Sequence, residues 1–183
     1  MVSDHPGGEA GVTTDRWTEA RPTGAGTAAR QAIEGVTIGR ARSADLPRML
    51  DLLEAASLPT GGVDACLPWA VVARLDGRVV GVAALEPHGR SALLRSVAVD
   101  PHLRGSRLGT RLVGQAVGGA REIGAAELYL LTETAEPFFA RLGWARVAWE
   151  QIPDAVRQSV EFTDLCPVTA VAMWLSLEDE AAR

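Results

Sequence analysis

A turn rich in arginine and glycine follows an apolar stretch in the middle of the chain. The apolar stretch ends at Val99, and Arg104, Gly105 and Gly109 follow it where a helical pattern begins. A helix N-terminus presents unpaired backbone N–H groups and the positive end of a dipole, so it binds phosphate readily. Glycine permits close approach of the backbone, and arginine adds a charge-assisted hydrogen bond. The turn predicts a phosphate site, although its spacing is equally compatible with a capped helix whose glycines serve packing.

Two common phosphate-binding motifs are absent from this turn. No Gly-Lys-Ser or Gly-Lys-Thr follows it, so it is not the loop of a nucleoside triphosphatase. The three-glycine spacing of the dinucleotide fingerprint is also missing, and the turn comes late among the predicted strands. The ligand class therefore depends on the elements around the turn.

The composition excludes several function classes. The 183 residues are 47% hydrophobic and 22% charged, which suits one globular domain with some extra length. A net charge of -5 argues against nucleic acid as the main partner. Cys66 and Cys166 are too few and too far apart for a metal site. Without a long apolar run or a secretory signal, we predict a cytoplasmic protein with no membrane partner.

The elements around the turn alternate between strands and helices. We predict a tail over residues 1–35, one domain over residues 36–177 and a second tail over residues 178–183. The domain begins with a strand at residues 36–41 and a helix at residues 43–57. The next stretch, residues 58–62, is a loop that either lines a pocket or is a plain connection.

A run of strands comes next. Asp76-Gly77 is a favoured pair for a tight turn and predicts a hairpin of residues 69–75 and 78–85. The strand at residues 92–99, the helix from Gly105 and the strand at residues 127–131 predict a parallel pair with a right-handed crossover. After these elements, we predict helices at residues 134–142 and 154–162 and strands at residues 144–149 and 169–177.

This order of elements and the segment Arg104-Gly105-Ser106-Arg107-Leu108-Gly109 resemble the GCN5-related N-acetyltransferase (GNAT) superfamily. The family's acyl-CoA motif is Gln/Arg-x-x-Gly-x-Gly/Ala, and Arg107 stands where its middle glycine is usual. The segment from Ala135 to Trp144 is similar to the family's second signature. The resemblance implies an α/β fold whose mixed sheet of about seven strands is flanked by helices. Acetyl-CoA, as cosubstrate and without a metal, would lie between two splayed parallel strands.

The resemblance also implies which residues hold the cosubstrate. The pantetheine amides would pair with the strand backbone near Val97 and Val99, and the pyrophosphate would lie on N–H groups of the turn. The N–H of Val97 would polarise the thioester carbonyl. The complete predicted set is Val97, Ala98, Val99, Arg104, Gly105, Ser106, Leu108, Gly109 and Thr110.

The reaction implied is transfer of acetyl to a primary amine of a small molecule, directly and without an acyl-enzyme. The amine must first lose a proton, and Glu86 is our first choice of base, before Glu161 and Glu133. Each of the three is equally readable as a solvated surface charge. Many relatives carry a tyrosine that protonates the leaving thiolate, but Phe139 occupies that position and cannot donate.

The acceptor side is defined less closely by the sequence. Arg95 and Ser96, with Thr132, are predicted to bind substrate, and Arg95 or Arg74 would hold a carboxylate. A narrower resemblance is to the arsenic-resistance (ArsN-type) N-acetyltransferases. It rests on three segments, residues 93–99, 130–135 and 161–167, and implies an amino-acid-like or organoarsenical acceptor.

Two alternatives remain open at this point. Arg107 and Phe139 are compatible with an acyl-CoA-binding sensor of impaired activity. The acceptor could also be a peptide or protein amine. The sequence predicts a monomer or a homodimer without distinguishing them.

Overall fold

The computed structural model describes residues 33–165 and 169–178. Most of the predicted N-terminal tail, the predicted C-terminal tail after residue 178 and Cys166 lie outside the described residues. Within them, the structure has the expected α/β architecture.

Seven strands of the described chain form one mixed sheet in the order β1-β2-β3-β4-β5-β7-β6. Their bounds are β1 Thr37–Arg40, β2 Ala70–Leu75, β3 Arg78–His88, β4 Ser91–Val99, β5 Glu127–Thr132, β6 Ala145–Arg146 and β7 Val171–Ser176. The predicted hairpin is confirmed, since Leu75 pairs with Arg78 across the Asp76-Gly77 turn. All neighbouring pairs are antiparallel except β4 and β5, which are parallel as predicted.

Helices cover both faces of the sheet. Helix α1 is Leu46–Ala55, α2 is Leu108–Glu122, α3 is Glu136–Ala140 and α4 is Asp154–Arg157. Met49, Leu52 and Leu53 of α1 pack on one face, and the apolar side of α2, including Leu112 and Ala116, packs on the other. These stripes recur at helical spacing, which is why the sequence pattern predicts both helices. No helix among residues 33–165 and 169–178 is long and apolar enough to cross a membrane.

The last third of the domain differs from the prediction. The strand expected at residues 144–149 is reduced to Ala145–Arg146, because the chain turns into a 3-10 helix at Trp149–Gln151. The helix expected at residues 154–162 ends at Arg157, and a π-helical turn follows at Glu161–Leu165. Glu161 lies on this shorter, irregular path and is buried.

Two features of β4 create the space for a site. Its pairing with β5 ends at Leu93 opposite Tyr129, although both strands continue beyond that point. Opposite β3, Val82 pairs with Ala98 while Ala84 pairs with Arg95, so β4 has one extra residue and forms a bulge. The strands therefore diverge beside a bent segment of β4, as predicted for a splayed parallel pair.

Candidate active site

A cavity of about 920 Å³ fills the gap between the diverging strands β4 and β5. Its walls include β4 from Leu93 to Val99 and the end of β5 from Leu130. Leu58 and Pro59 close one side, so the loop predicted at residues 58–62 does line a pocket. A second cavity of about 440 Å³ adjoins the first, since Val99, Arg104 and Gly109 line both.

Most of the predicted cosubstrate residues line these two cavities. The larger one is lined by Val97, Ala98, Val99, Arg104 and Gly109, and the smaller one adds Gly105, Leu108 and Thr110. Ser106 is the exception, because its buried hydroxyl donates to the Leu103 carbonyl at 2.6 Å. Ser106 therefore holds the turn together from inside.

The N-terminus of α2 faces the smaller cavity. The first backbone bond of this helix runs from the Arg111 N–H to the Arg107 carbonyl at 3.1 Å. The N–H groups of Leu108, Gly109 and Thr110 precede it and have no acceptor one helical turn back. Arg104, Arg107 and Arg141 line the same cavity. Donors and positive charge without a lining carboxylate fit a polyanion such as the pyrophosphate of coenzyme A.

Arg107 adopts the left-handed conformation that explains why a glycine is usual there. Its φ is 68° and its ψ is 9°, and Gly105 has a φ of 77°. Left-handed backbone costs a non-glycine residue roughly 1–2 kcal/mol. The turn therefore has, at Arg107, a backbone conformation that suits glycine, although a side chain replaces the hydrogen of glycine.

The bulge on β4 places strained backbone at the centre of the larger cavity. Ser96 has a φ of 55°, and its buried Oγ has no hydrogen-bond partner in the described chain. From Leu94 onward β5 no longer pairs with this edge of β4. Backbone groups near Val97 are thus available to the amides of a pantetheine arm or to a thioester carbonyl.

The hydroxyl expected of a thiolate-protonating acid is missing from the cavity. Phe139 lines the wall there and packs against Phe138 and Trp144 with ring centroids 5.0 and 5.7 Å away. Tyr129 is the chain's one tyrosine, and it does not line either cavity. Its hydroxyl donates to Glu127, and burial together with that bond raises the pKa of Tyr129.

A buried charged cluster closes the other end of the larger cavity. Arg95 is 4% exposed, and its Nη2 lies 2.8 Å from Glu161 Oε1 and donates to the Gly61 carbonyl at 2.6 Å. Its Nη1 donates to Glu86 Oε2 at 3.1 Å. Arg95 and Glu161 line the cavity, whereas Glu86 does not.

Glu86 is held behind this wall by further polar groups. Its Oε2 accepts a hydrogen bond from Ser159 Oγ at 2.9 Å, and its Oε1 lies 3.2 Å from His88 Nε2. Of the two carboxylates in this cluster, Glu161, our second choice of base from the sequence, is thus the one that lines the cavity. Glu133, the third choice, lines it on the β5 side and accepts from Thr169 at 3.2 Å.

The two remaining substrate candidates have different surroundings. Thr132 lines the cavity, and its Oγ1 accepts from the Ala135 N–H at 3.0 Å at the start of α3. Arg74 lies outside both cavities and pairs with Asp45 at 2.5 Å, so it is not placed to hold a substrate.

Cys66 lies against the charged cluster and is buried. Burial raises the pKa of its thiol to about 11; nearby Arg95 opposes the rise, and Glu86 and Glu161 add to it. A thiol with such a pKa is protonated at neutral pH and is a poor nucleophile. Among the described residues no group of His, Cys, Asp and Glu could hold a metal ion.

Sequence reasoning missed Ser159, His88 and the Gly61 carbonyl. Ser159 lies 73 residues from Glu86, and Gly61 lies 34 residues from Arg95. None of the three belongs to a local motif. They come together only when the chain folds, so no signal in the local sequence could have identified them.

Comparison with known proteins agrees with this geometry. Residues 69–146 match the model of the acetyltransferase (GNAT) domain family. No curated protein matches the sequence. Among solved structures, N-acetylglutamate synthase from Neisseria gonorrhoeae, complexed with coenzyme A and N-acetyl-glutamate, superposes with a TM-score of 0.68 and 22% identity. The match covers 79% of this chain but only 35% of the synthase.

Two smaller proteins match over nearly their whole length. Rv2747 from Mycobacterium tuberculosis, in complex with CoA and NLQ, has a TM-score of 0.67 and 26% identity over 78% of this chain and 99% of its own. The putative acetyltransferase yncA from Salmonella typhimurium, with acetyl-CoA, has a TM-score of 0.58 and 23% identity over 81% and 97%. Residues 69–146 thus match the GNAT domain family, and the splayed strands agree with the fold that the chain shares with these solved structures.

Proposed function

We propose that this enzyme transfers acetyl from acetyl-CoA to the primary amine of a small molecule. The observation that carries the proposal is a pair of adjoining cavities that together extend from the α2 N-terminus, along β4, to the buried Glu161 carboxylate. Donors suited to a pyrophosphate lie at one end of this path, and a proton acceptor lies at the other. Such an arrangement suits direct transfer between two bound substrates.

The residues at the acceptor end suit the proton chemistry that amide formation requires. Acetyl-CoA supplies the acetyl group as a thioester. Glu161 takes a proton from the ammonium group, because a nitrogen without a lone pair cannot attack the carbonyl carbon. The C–N bond forms and the C–S bond breaks. The nitrogen loses its second proton, the sulfur gains one from solvent, and one proton is released overall.

Val97 contributes through its backbone rather than its side chain. Its N–H, on the edge of β4 that β5 leaves unpaired, is proposed to donate to the carbonyl oxygen as negative charge develops there. The protonated Cys66 argues against an acyl-enzyme, because the buried thiol beside the cluster has a pKa of about 11.

The identity of the base is tested by three matched glutamine substitutions. Glu161→Gln should lower kcat/KM by about 100-fold or more, since it removes the carboxylate that faces the cavity. Glu86→Gln and Glu133→Gln should have smaller effects. The rate is measured as free-thiol release, and the product as acetylated amine by mass spectrometry. A full rate for Glu161→Gln together with a collapse for Glu86→Gln would restore the first choice made from the sequence.

The acceptor panel tests the function itself. It should contain simple amines, amino acids, an amino-acid-like organoarsenical and a peptide with a free N-terminus. The amino-acid-like and organoarsenical acceptors rest on sequence resemblance. Two structural neighbours offer a parallel, since one was solved with N-acetyl-glutamate and the other with NLQ. Binding of acetyl-CoA without transfer to any amine would favour the alternative of an acyl-CoA-binding sensor, with which Phe139 and Arg107 are compatible.

A further inference from the structure

The acceptor end is organised around a single buried guanidinium. The side chain of Arg95 is 2% exposed, and it contacts residues from three other segments: Glu86 of β3, the Gly61 carbonyl and Glu161 of the π-helical turn. It also lies close to the Cys66 thiol. One arginine therefore holds in place the carboxylate that faces the cavity and the carboxylate behind it.

The contacts of Arg95 leave it little capacity for a ligand. Both hydrogens of Nη2 are used, one for Glu161 and one for the Gly61 carbonyl. Gripping a carboxylate with two parallel bonds requires two free neighbouring N–H groups. Nε is buried, with no partner in the described chain. On the side of the guanidinium formed by Nε and Nη2, only the Nε–H remains as a donor. Arg95 therefore cannot hold a substrate carboxylate with two parallel hydrogen bonds, contrary to the prediction from the sequence.

The charge of the cluster points to a cationic ligand. Two carboxylates face one guanidinium, so the cluster has one formal negative charge when His88 is neutral. The other arginine on the wall of the larger cavity is Arg104, at the phosphate end. A carboxylate next to the reacting nitrogen would meet Glu161 with no free cation beside it in the described chain, and like charges at close range repel.

We propose that Arg95 is a positioning residue that holds Glu161 toward the cavity, and that the acceptor is an amine with no carboxylate next to its reacting nitrogen. The inference rests on the proposed function and narrows its substrate class. Ser96 fits the same view, because its buried Oγ has no hydrogen-bond partner among the described residues and Ser96 lines the cavity next to Arg95. A neutral hydroxyl can accept from an ammonium group without adding charge.

Matched acceptor pairs test the substrate class. The pairs are phenethylamine with L-phenylalanine and isoamylamine with L-leucine, which differ by the α-carboxylate alone. We expect kcat/KM to be at least about tenfold higher for the amine of each pair, mainly through a lower KM. Equal or better use of the amino acids would overturn the inference and leave the proposed function intact. Transfer to none of the four, nor to any other amine, would instead overturn the proposed function.

Conservative variants test the positioning role. Arg95→Lys keeps the charge but cannot bridge both carboxylates and the Gly61 carbonyl, so the KM for phenethylamine should rise about tenfold. The Kd for acetyl-CoA, measured by calorimetry, should stay within about twofold. Arg95→Met should raise the KM for phenethylamine further. If Arg95→Met does not fold, Arg95→Lys still provides the test.

Arg74→Lys provides the matched control, because Arg74 is also a largely buried arginine in an ion pair but lies outside both cavities. In Arg74→Lys, the KM for phenethylamine and the Kd for acetyl-CoA should both match those of the wild type. An unchanged amine KM in Arg95→Lys, or parallel changes in the two arginine variants, would mean that Arg95 serves only the fold.

Discussion

The two ends of the cavity are built in different ways. The proposed cosubstrate end consists of backbone from one continuous stretch, residues 97–110, whose N–H groups and glycines are proposed to do most of the binding. The acceptor end consists of side chains from separate segments, with Arg95 at their centre. The first needs a local backbone path, and the second needs the whole domain to be folded.

The same contrast appears in the match to known proteins. The matched range, residues 69–146, contains the whole cosubstrate end together with Arg95 and Glu86. Gly61, Ser159 and Glu161 lie outside that range. The proposed cosubstrate end thus lies within the segment shared with the family, whereas residues that complete the proposed acceptor end come from parts of the chain that the family model leaves out.

Stability provides the largest test of this difference. Arg95→Met leaves Glu86 and Glu161 without their countercharge, and breaking a buried pair in this way costs about 3 kcal/mol in the free energy of unfolding. Arg104→Met, on an exposed arginine at the cosubstrate end, should change that free energy by no more than about 0.5 kcal/mol. Urea denaturation of both variants measures the difference, and equal losses would show that the two ends contribute alike to the fold.

The same difference decides how much the sequence could predict. Arg104, Gly105 and Gly109 lie within six consecutive positions, so a phosphate site could be predicted there from local spacing and helix geometry, whereas acetyl-CoA as its ligand came from the family resemblance. Asp76-Gly77 likewise specified its hairpin. Glu161 ranked below Glu86 because its proposed role depends on the path of the chain around it. Residues 154–165 form a short helix and a π-helical turn instead of the continuous helix predicted.

A second test concerns the reactivity of the thiol at the acceptor end. Burial raises the pKa of Cys66 from 9.0 to about 11, so its thiolate fraction near neutral pH is about 100-fold lower than that of an unperturbed thiol. In a Cys166→Ser background, alkylation by iodoacetamide should be slower than that of the urea-unfolded chain by at least this factor. Alkylation at the unfolded rate would contradict a closed acceptor end.

The pH dependence of stability follows from the same shift. Because the folded pKa lies above the unfolded one, the folded state keeps its proton between pH 9 and 11 while the unfolded state loses it. The contribution of Cys66 is therefore fully present below about pH 9 and is lost as the pH rises toward 11. Cys66→Ala should flatten the fall in stability over that range, and an unchanged slope would assign the fall to other groups.

The smallest effect is expected at the proposed cosubstrate end, where the side chain of Arg107 is attached to left-handed backbone. Arg107 has a φ of 68°, so Arg107→Gly removes the left-handed strain and should raise the free energy of unfolding by about 0.5–1 kcal/mol after the entropic cost of glycine. Arg104→Gly is the matched control, because Arg104 has an ordinary φ of -64° and has no such strain to lose. Loss of the charge should also raise the Kd for acetyl-CoA in Arg107→Gly, measured by calorimetry. A variant that is more stable but binds the cosubstrate more weakly would show that Arg107 is retained for its charge, whereas tighter binding would show that the glycine geometry matters more.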